Sequence, residues 1–282
     1  MHSARRAALA LAVTLAVAQS PSLRAQTTAE IEDGIADLAR RGTEGLPALA
    51  SHEPVYFVVG RRDDTSARFQ FSFRYRMFDE EGIVVRWFRP LAGMHFAYTQ
   101  TAVWDLSDDS KPFRDTSYKP ALLWHWRGGP QIGQRYGWQL DAGFEHESNG
   151  RDVDLSRSIN IAFVKPEYRR YIAQRRYAGI GVKAYSYIDR EENPDIADYR
   201  GHADWVLFLG RDDGWLLKST IRQGAAGHGS VQTELSYPLR RPFFSDTGGY
   251  IFVQHFNGYG ETLLDYNVRR DAELRFGFAI VR

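Results

Sequence analysis

The sequence contains no cysteine, carries almost no net charge and has no long apolar run beyond its N-terminus. Without cysteine, the chain can form no disulfide and cannot use a thiolate for catalysis or metal binding. A formal net charge of +1 gives no electrostatic basis for binding nucleic acid, so none is expected as a partner. No stretch after residue 25 approaches the roughly 18 consecutive apolar residues of a transmembrane helix. These absences exclude disulfide-rich, thiol-dependent and helical membrane proteins.

The first 25 residues are predicted to be a secretory signal peptide. Arg5 and Arg6 precede an apolar run over residues 7–18, and small residues follow as far as Ala25. That layout is typical of an export signal, and the run is too short to cross a bilayer as a helix. Cleavage after Ala18 and cleavage after Ala25 both fit, and Ala25 is preferred. An exported chain with 14% aromatic residues fits either a secreted soluble β protein or an outer-membrane barrel.

Alternation of apolar and polar side chains predicts a β-barrel. In residues 68–78, RFQFSFRYRMF, aromatic residues and methionine occupy one face and polar residues occupy the other. This period of two indicates a strand, and about ten residues with an aromatic apolar face are typical of a strand that crosses an outer membrane. The pattern recurs near residues 231–239 and 272–280. The predicted strands are residues 54–60, 67–78, 93–105, 117–127, 135–148, 157–169, 176–189, 199–210, 214–222, 229–239, 248–257 and 271–281.

The fold class predicted is therefore all-β, a twelve-stranded antiparallel transmembrane β-barrel of the outer-membrane type. Residues 26–50 are expected to form an N-terminal periplasmic segment, helical or irregular, and residues 51–282 the barrel. An even number of strands places both termini on the periplasmic side. Long links after the seventh and eleventh strands then lie outside, as expected, whereas the long link over residues 79–93 lies on the periplasmic side against the general rule.

A polar hairpin over residues 146–160, HESNGRDVDLSRSIN, is a candidate catalytic site. In the fifth strand the even-numbered residues from Tyr136 to Phe144 are apolar, which predicts that they face lipid. Continuing the even positions places His146 and Ser148 on that same side, at the end of the strand. A histidine and a serine on one face can form a base and a nucleophile.

The return strand can bring a third residue to this face. If the hairpin centres near Val153, position 146 opposes Asn160 and position 148 opposes Ser158. Directly opposed residues of an antiparallel pair have Cβ atoms about 4.5–5.5 Å apart. Ser148, His146 and Asn160 would then stand in line as nucleophile, base and the group that orients the base.

Two observations favour a plain turn instead. A histidine at the aromatic girdle of a barrel is usually an ordinary interfacial residue, and SNG is a common turn sequence. In the sixth strand Ile159, Ile161 and Phe163 form the more apolar set, which would face them to lipid and turn Asn160 inward unless a bulge or a shifted register intervenes. The residues by themselves leave both interpretations open.

At these residues the sequence resembles the outer-membrane phospholipase A family. The family pattern is His-x-Ser-Asn-Gly-Arg followed by Ser-Arg-Ser-x-Asn, and it stands here as HESNGR and SRSIN with the spacing intact. Glu147 occupies a position where aspartate is usual, and Ile159 replaces an aromatic residue. Further matching stretches are YTQ at residues 98–100, PFRDTSYKP at 112–120, NPDI at 193–196, ELSYP at 234–238 and GYGETLLDYN at 258–267.

The resemblance implies a lipid-facing site that hydrolyses acyl esters of phospholipids, with sn-1 and sn-2 (A1 and A2) activity and action on lysophospholipids. By motif, His146 would be the base, Ser148 the nucleophile and Asn160 the orienting group. Gly150 would donate its backbone N–H to the oxyanion.

The family also requires calcium and is active as a homodimer, with a monomer as the resting form. The resemblance implies one Ca²⁺ per active site, at the dimer interface. The ligands would be the Arg151 carbonyl, the Ser156 hydroxyl and Ser110 of the partner subunit. Gln100 matches a polar position at the family's dimer interface. The expected location is the bacterial outer membrane, with the site on the outer-leaflet side.

Two alternatives differ in class or in substrate. A barrel-type lipid A deacylase also carries a histidine and a serine two residues apart, but that family resembles a smaller barrel with an acidic third member. A passive structural or pore barrel would explain the strands, but not the matched hairpin together with the other matched stretches.

Overall fold

The protein folds into a closed antiparallel β-barrel. The computed structural model describes residues 48–62, 64–110, 112–128, 136–239 and 248–282. The predicted signal peptide lies outside these residues, as does the N-terminal segment up to residue 47. Within the described residues the barrel strands are β1 Val55–Arg61, β2 Thr65–Arg76, β3 Met94–Asp105, β4 Phe113–Gly128, β5 Tyr136–Ser148, β6 Ser158–Ala173, β7 Arg176–Asp189, β8 Ala203–Arg211, β9 Leu216–Gln223, β10 Gly229–Pro238, β11 Tyr250–Gly258 and β12 Arg270–Val281.

All twelve predicted strands are confirmed, each with bounds within four residues of the prediction. Each strand pairs with its neighbour in sequence, and β12 returns to pair with β1, so the sheet closes without an open edge. A two-residue strand, Leu49–Ala50, pairs with the last residues of β2. The first barrel strand, β1, begins at Val55.

The barrel wall is apolar outside and polar inside, as the alternation predicts. On β2, Phe71 and Tyr75 are exposed on the outer wall, whereas Arg68 and Ser72 are buried inside. On β12, Phe276 is exposed and its neighbours Glu273 and Arg275 are buried. The interior thus holds charged side chains paired with one another, and the outer wall presents apolar side chains to lipid.

The two ends of the barrel, called the hairpin end and the terminal end, carry different links. The hairpin end has the links that follow the odd-numbered strands, including a 3₁₀ turn at Val153–Leu155 and helix α2 at Ile196–Arg200. The terminal end has the start of β1, the end of β12 and the β2–β3 link, with helix α1 at Ile83–Trp87 and a 3₁₀ turn at Arg89–Leu91. Among the described helices, none is long and apolar enough to cross a membrane.

Strand β6 departs from the simple rule that the apolar face meets lipid. Ile159, Ile161 and Phe163 are buried inside the barrel, where they pack in one cluster with Ile196 of α2 and Leu263. Loops folded into the hairpin end supply apolar partners there, so this inner face is apolar. Asn160 lies between Ile159 and Ile161 in the chain and therefore faces outward, opposite His146. The interpretation in which Asn160 turns inward is wrong.

Candidate active site

The centre of the candidate site is a hydrogen bond between His146 on β5 and Asn160 on β6. The two residues are direct partners in the antiparallel register, as are Ser148 and Ser158, which confirms the predicted hairpin register. Asn160 Oδ1 lies 2.9 Å from His146 Nδ1. Because an amide oxygen can only accept, this contact requires a proton on Nδ1 and leaves Nε2 free to take one.

Ser148 is the last residue of β5 and shares the outward face with His146. Residues two apart on a strand stand about 7 Å apart at their Cα atoms, a span that an imidazole ring and a serine side chain can bridge. On the other side, Ser148 is the direct partner of Tyr118 on β4. The backbone thus brings Ser148, His146 and Asn160 onto one patch of the outer wall.

A fourth side chain, which the sequence did not indicate, fixes the orientation of the Asn160 amide. Asn160 Nδ2 donates to Asp189 Oδ2 at 3.3 Å, and Asp189 is the last residue of β7. The pairing of β6 with β7 is irregular between Asn160 and Ile161. Only a local bulge brings Asp189 beside Asn160, and bulges leave little trace in the alternation of residues.

Gly150, two residues after Ser148, has a backbone conformation that favours glycine. Its φ is +65°, and a Cβ atom there would lie 3.0 Å from Cε2 of Tyr118. A larger residue would therefore be strained and would push against the tyrosine ring. The exposed turn leaves this part of the backbone open beside Ser148.

Asn149 holds the hairpin loop in shape from inside. Its side chain is buried, its Nδ2 donates to the Leu155 carbonyl at 2.8 Å, and its Oδ1 accepts the N–H groups of Arg157 at 3.0 Å and Arg151 at 3.3 Å. Asn149 lies within the SNG motif, but its sequence suggests only a turn. In the structure it ties both sides of the loop that carries the predicted oxyanion and calcium residues.

The residues predicted to bind calcium offer oxygen atoms. The Arg151 guanidinium donates to the carbonyls of Phe113 and Arg114, so the charge of this residue is held against β4 and its own carbonyl is the group available to a cation. The Ser156 hydroxyl donates to the Glu192 carboxylate at 3.0 Å on the exposed surface. Hydroxyl, carbonyl and carboxylate oxygens suit calcium.

Arg151 and Ser156 are the two predicted calcium ligands that lie in the β5–β6 hairpin. Among the described residues, no group of three or more histidine and acidic side chains is placed to hold a metal ion. Ser110 is exposed in the β3–β4 link and is not part of the β5–β6 hairpin. A site made of Arg151 and Ser156 alone would leave a cation short of ligands, since calcium takes six to eight.

Gln100 lies on the outer wall at the same level as Ser148. It is the direct partner of Tyr118, and Tyr118 is in turn the partner of Ser148, so the three residues form one row across β3, β4 and β5. Gln100 accepts a hydrogen bond from the Tyr98 hydroxyl at 3.0 Å. A polar amide on a lipid-facing wall is costly unless it finds a partner.

Three of the other matched stretches lie behind the hairpin, inside the barrel. Arg114, from PFRDTSYKP, donates to Glu261, from GYGETLLDYN, at 2.9 Å. Asn193, from NPDI, is fully buried and donates to the carbonyl of Ser158 at 2.6 Å. Glu147, between the histidine and the serine, points inside and accepts from Ser117 and Arg200. These residues support the hairpin from within the barrel.

A lipid-facing serine, histidine and asparagine on the wall of a twelve-stranded barrel define an outer-membrane β-barrel with the side chains of an ester hydrolase. The chain belongs to the phospholipase A1 family, which matches it over residues 48–280.

Individual relatives agree with this assignment. The phospholipase A1 of Escherichia coli K12 is 30% identical over 227 residues, which cover 78% of this chain and 70% of that protein. The phospholipase A1 of Salmonella typhimurium is 34% identical over 180 residues, 61% of this chain and 56% of that protein. The chain spans 66% and 70% of the length of the first two curated relatives it matches.

Solved structures show the same fold. The outer membrane phospholipase A of Escherichia coli superposes with a TM-score of 0.69 at 22% identity, over 88% of this chain and 97% of that one. A second structure of that protein is described as an active-site mutant in which alanine replaces an asparagine. The Salmonella typhi outer membrane phospholipase, described as a dimer with bound calcium, gives a TM-score of 0.67 at 23% identity, over 83% and 92% of the chains.

Proposed function

We propose that the protein is an outer-membrane phospholipase, a calcium-dependent serine ester hydrolase that cleaves the sn-1 and sn-2 acyl esters of glycerophospholipids and of lysophospholipids. The observation that carries the proposal is the 2.9 Å hydrogen bond that His146 Nδ1 donates to Asn160 Oδ1, on the lipid-facing side of the strand that ends in Ser148. Membership of the phospholipase A1 family supports the same activity.

The chemistry assigns one role to each side chain. The Ser148 hydroxyl attacks the acyl carbonyl while His146 Nε2 takes its proton, and the protonated His146 then gives that proton to the departing glycerol oxygen. Water attacks the acyl-serine with His146 again as the base, and the protonated His146 returns that proton to the Ser148 oxygen as the bond to the acyl group breaks and the fatty acid leaves. Asn160 holds the ring so that Nε2 faces the serine throughout.

The hairpin loop stabilises the negative charge that develops on the carbonyl oxygen. The Gly150 N–H donates to this oxyanion, and losing one such donor typically costs about 3–4 kcal/mol of transition-state stabilisation. Arg151 through its carbonyl and Ser156 through its hydroxyl would hold one Ca²⁺ per site, with Ser110 of the partner subunit as a further ligand. When bound, the cation supplies positive charge beside the oxyanion.

The active form is proposed to be a homodimer, and the monomer a resting form. Gln100 on the row of Ser148 offers a polar contact to a second copy, in agreement with the dimer described for the Salmonella typhi relative. We infer further that residues 1–25 are removed as a signal peptide, that residues 26–50 are periplasmic, and that the hairpin end faces the outer leaflet.

The test is calcium-dependent release of fatty acid from phospholipid micelles by the refolded protein beside Ser148→Ala. Release by the wild type that requires calcium and falls by at least about 10⁴-fold in the variant is expected. Ser219→Ala is a matched control, because it removes a serine hydroxyl from β9, which pairs with β8 and β10 and not with the strands of the hairpin. A folded wild type that releases no fatty acid with or without calcium would favour the passive barrel, and release from lipid A alone would favour a deacylase.

A further inference from the structure

The β2–β3 link at the terminal end carries an exposed apolar stripe. Ile83, Val84, Trp87 and Phe88 have exposed fractions of 64%, 46%, 86% and 57%. Ile83, Val84 and Trp87 are the first, second and fifth residues of α1, and Phe88 is its C-cap. Residues with this spacing lie on one face of a helix. Val85, on the opposite side, is fully buried. The stripe therefore points away from the protein.

The link is fastened to the outer wall of the barrel rather than to its opening. Trp124 shares the outward face of β4 with Leu122 and Trp126, which are both exposed, whereas Leu123 between them is fully buried. The Trp124 indole N–H donates to the carbonyl of Pro90 at 2.7 Å. This contact sets the link beside the lipid-facing surface at the terminal end.

The apolar stripe continues the lipid-facing surface beyond the strand ends. Tyr75 of β2 and Phe96 of β3 are direct partners in register, both exposed on the outer wall next to the link. Arg86 and Arg89, exposed within and just after α1, add positive charge beside the stripe. Apolar side chains with flanking basic residues are typical of a segment that lies in the headgroup region of a bilayer.

We propose that residues 83–90 form an interfacial anchor, in which Trp87, Phe88, Ile83 and Val84 enter the boundary between headgroups and acyl chains. Arg86 and Arg89 contact phosphate groups of phospholipids in the same leaflet. The anchor fixes the depth of the barrel at its terminal end, and under the proposed orientation the leaflet is the inner one. The inference rests on this segment alone and holds whether or not the barrel is a phospholipase.

The absence of cysteine from the whole chain makes the anchor directly measurable. A nitroxide label on Trp87→Cys reports its surroundings in vesicles of phosphatidylethanolamine and phosphatidylglycerol, by collision with oxygen from the membrane and with a water-soluble nickel chelate. Matched references are Phe276→Cys on the lipid-facing wall and Asp64→Cys in the exposed β1–β2 turn. Trp87 and Phe276 are exposed, so these changes remove little packing, and heat-modifiable mobility on electrophoresis confirms folding.

The expected result is a depth for the Trp87→Cys label between the two references, with severalfold less nickel contact than Asp64→Cys. Nickel contact equal to that of Asp64→Cys would place the stripe in water and overturn the proposal. Protection from both oxygen and nickel, relieved when labelled protein is diluted into excess lipid, would show that a second copy covers the stripe and would also overturn it.

The arginine contacts are tested in the same label background. Arg86→Glu with Arg89→Glu is expected to raise the nickel contact of the label in vesicles that contain phosphatidylglycerol, because acidic side chains repel anionic headgroups. The rise should be smaller in pure phosphatidylcholine. If the nickel contact of the label changes in neither membrane, the two arginines do not contribute to the proposed anchor.

Discussion

At the residue scale, the orientation of one amide decides whether His146 can act as a base. Asn160 has two nearly equivalent amide orientations, and only one presents its oxygen to His146 Nδ1. Asp189 accepts from Asn160 Nδ2 at 3.3 Å and so favours that orientation. The Asp189 carboxylate therefore acts on His146 indirectly, by orienting the neutral Asn160 amide.

We expect Asn160→Ala to lower kcat on the order of 10²-fold with little change in KM, because the imidazole is misplaced while the lipid surface is unaltered. Asp189→Ala should cost less, since the amide remains but can turn over. In an Asn160→Asp background, either carboxylate oxygen can accept from His146, so no orienting contact is needed. Asp189 then only repels the new carboxylate, and the further change Asp189→Ala should leave kcat unchanged or raise it. Equal losses from Asp189→Ala in both backgrounds, measured as fatty-acid release, would contradict the role given to Asp189.

At the element scale, the β5–β6 loop depends on the buried Asn149 side chain. Asn149→Ala removes three hydrogen bonds, each worth about 1 kcal/mol, and frees the loop that carries Gly150 and Arg151. We expect a weaker calcium affinity by calorimetry and faster hydrogen exchange in the loop, with the barrel intact. Asn149→Asp is the matched control, because it keeps both accepted bonds and should retain most of the affinity. An unchanged affinity in the alanine variant would show that the loop is held by other contacts.

The strands could be predicted from sequence because nearly every one meets lipid on one side and polar groups on the other. Phe71 and Phe276 face outward as the alternation requires. The same reasoning failed for Ile161, whose apolar neighbours come from loops that only the folded chain brings together. The His146–Asn160 register followed from hairpin geometry, whereas Asp189 and Asn149 act through a bulge and a loop that the residue pattern does not encode.

At the scale of the whole molecule, Glu261 joins strands from different parts of the barrel wall. It pairs with Arg68 of β2, Arg114 of β4 and Arg275 of β12, and its side chain is almost fully buried. Burial alone would raise the pKa of Glu261, but these guanidinium groups outweigh it and lower the pKa to about 2. A carboxyl that is more acidic in the folded state stabilises that state wherever it is ionised.

This carboxylate makes the barrel sensitive to acid. Its contribution is fully present above a pH of about 4.5 and is lost as the pH falls toward 2, a change of about 3 kcal/mol in the free energy of unfolding. Glu261→Gln should destabilise the barrel at neutral pH by about 3 kcal/mol, because Arg68, Arg114 and Arg275 lose a shared buried carboxylate while Arg275 keeps its pair with Glu273. Wild type and variant should then converge as the pH approaches 2.

Urea unfolding in detergent, followed by tryptophan fluorescence between pH 7 and 2.5, measures the difference. The exposed Glu191→Gln removes the same charge from the surface and should run parallel to the wild type. A Glu261→Gln curve that also runs parallel to the wild type over this range would mean that the three arginines do not lower the pKa of the Glu261 carboxyl in the folded state. The closure of the hairpin end would then depend on the buried apolar cluster around Ile161 and Leu263, and not on charge.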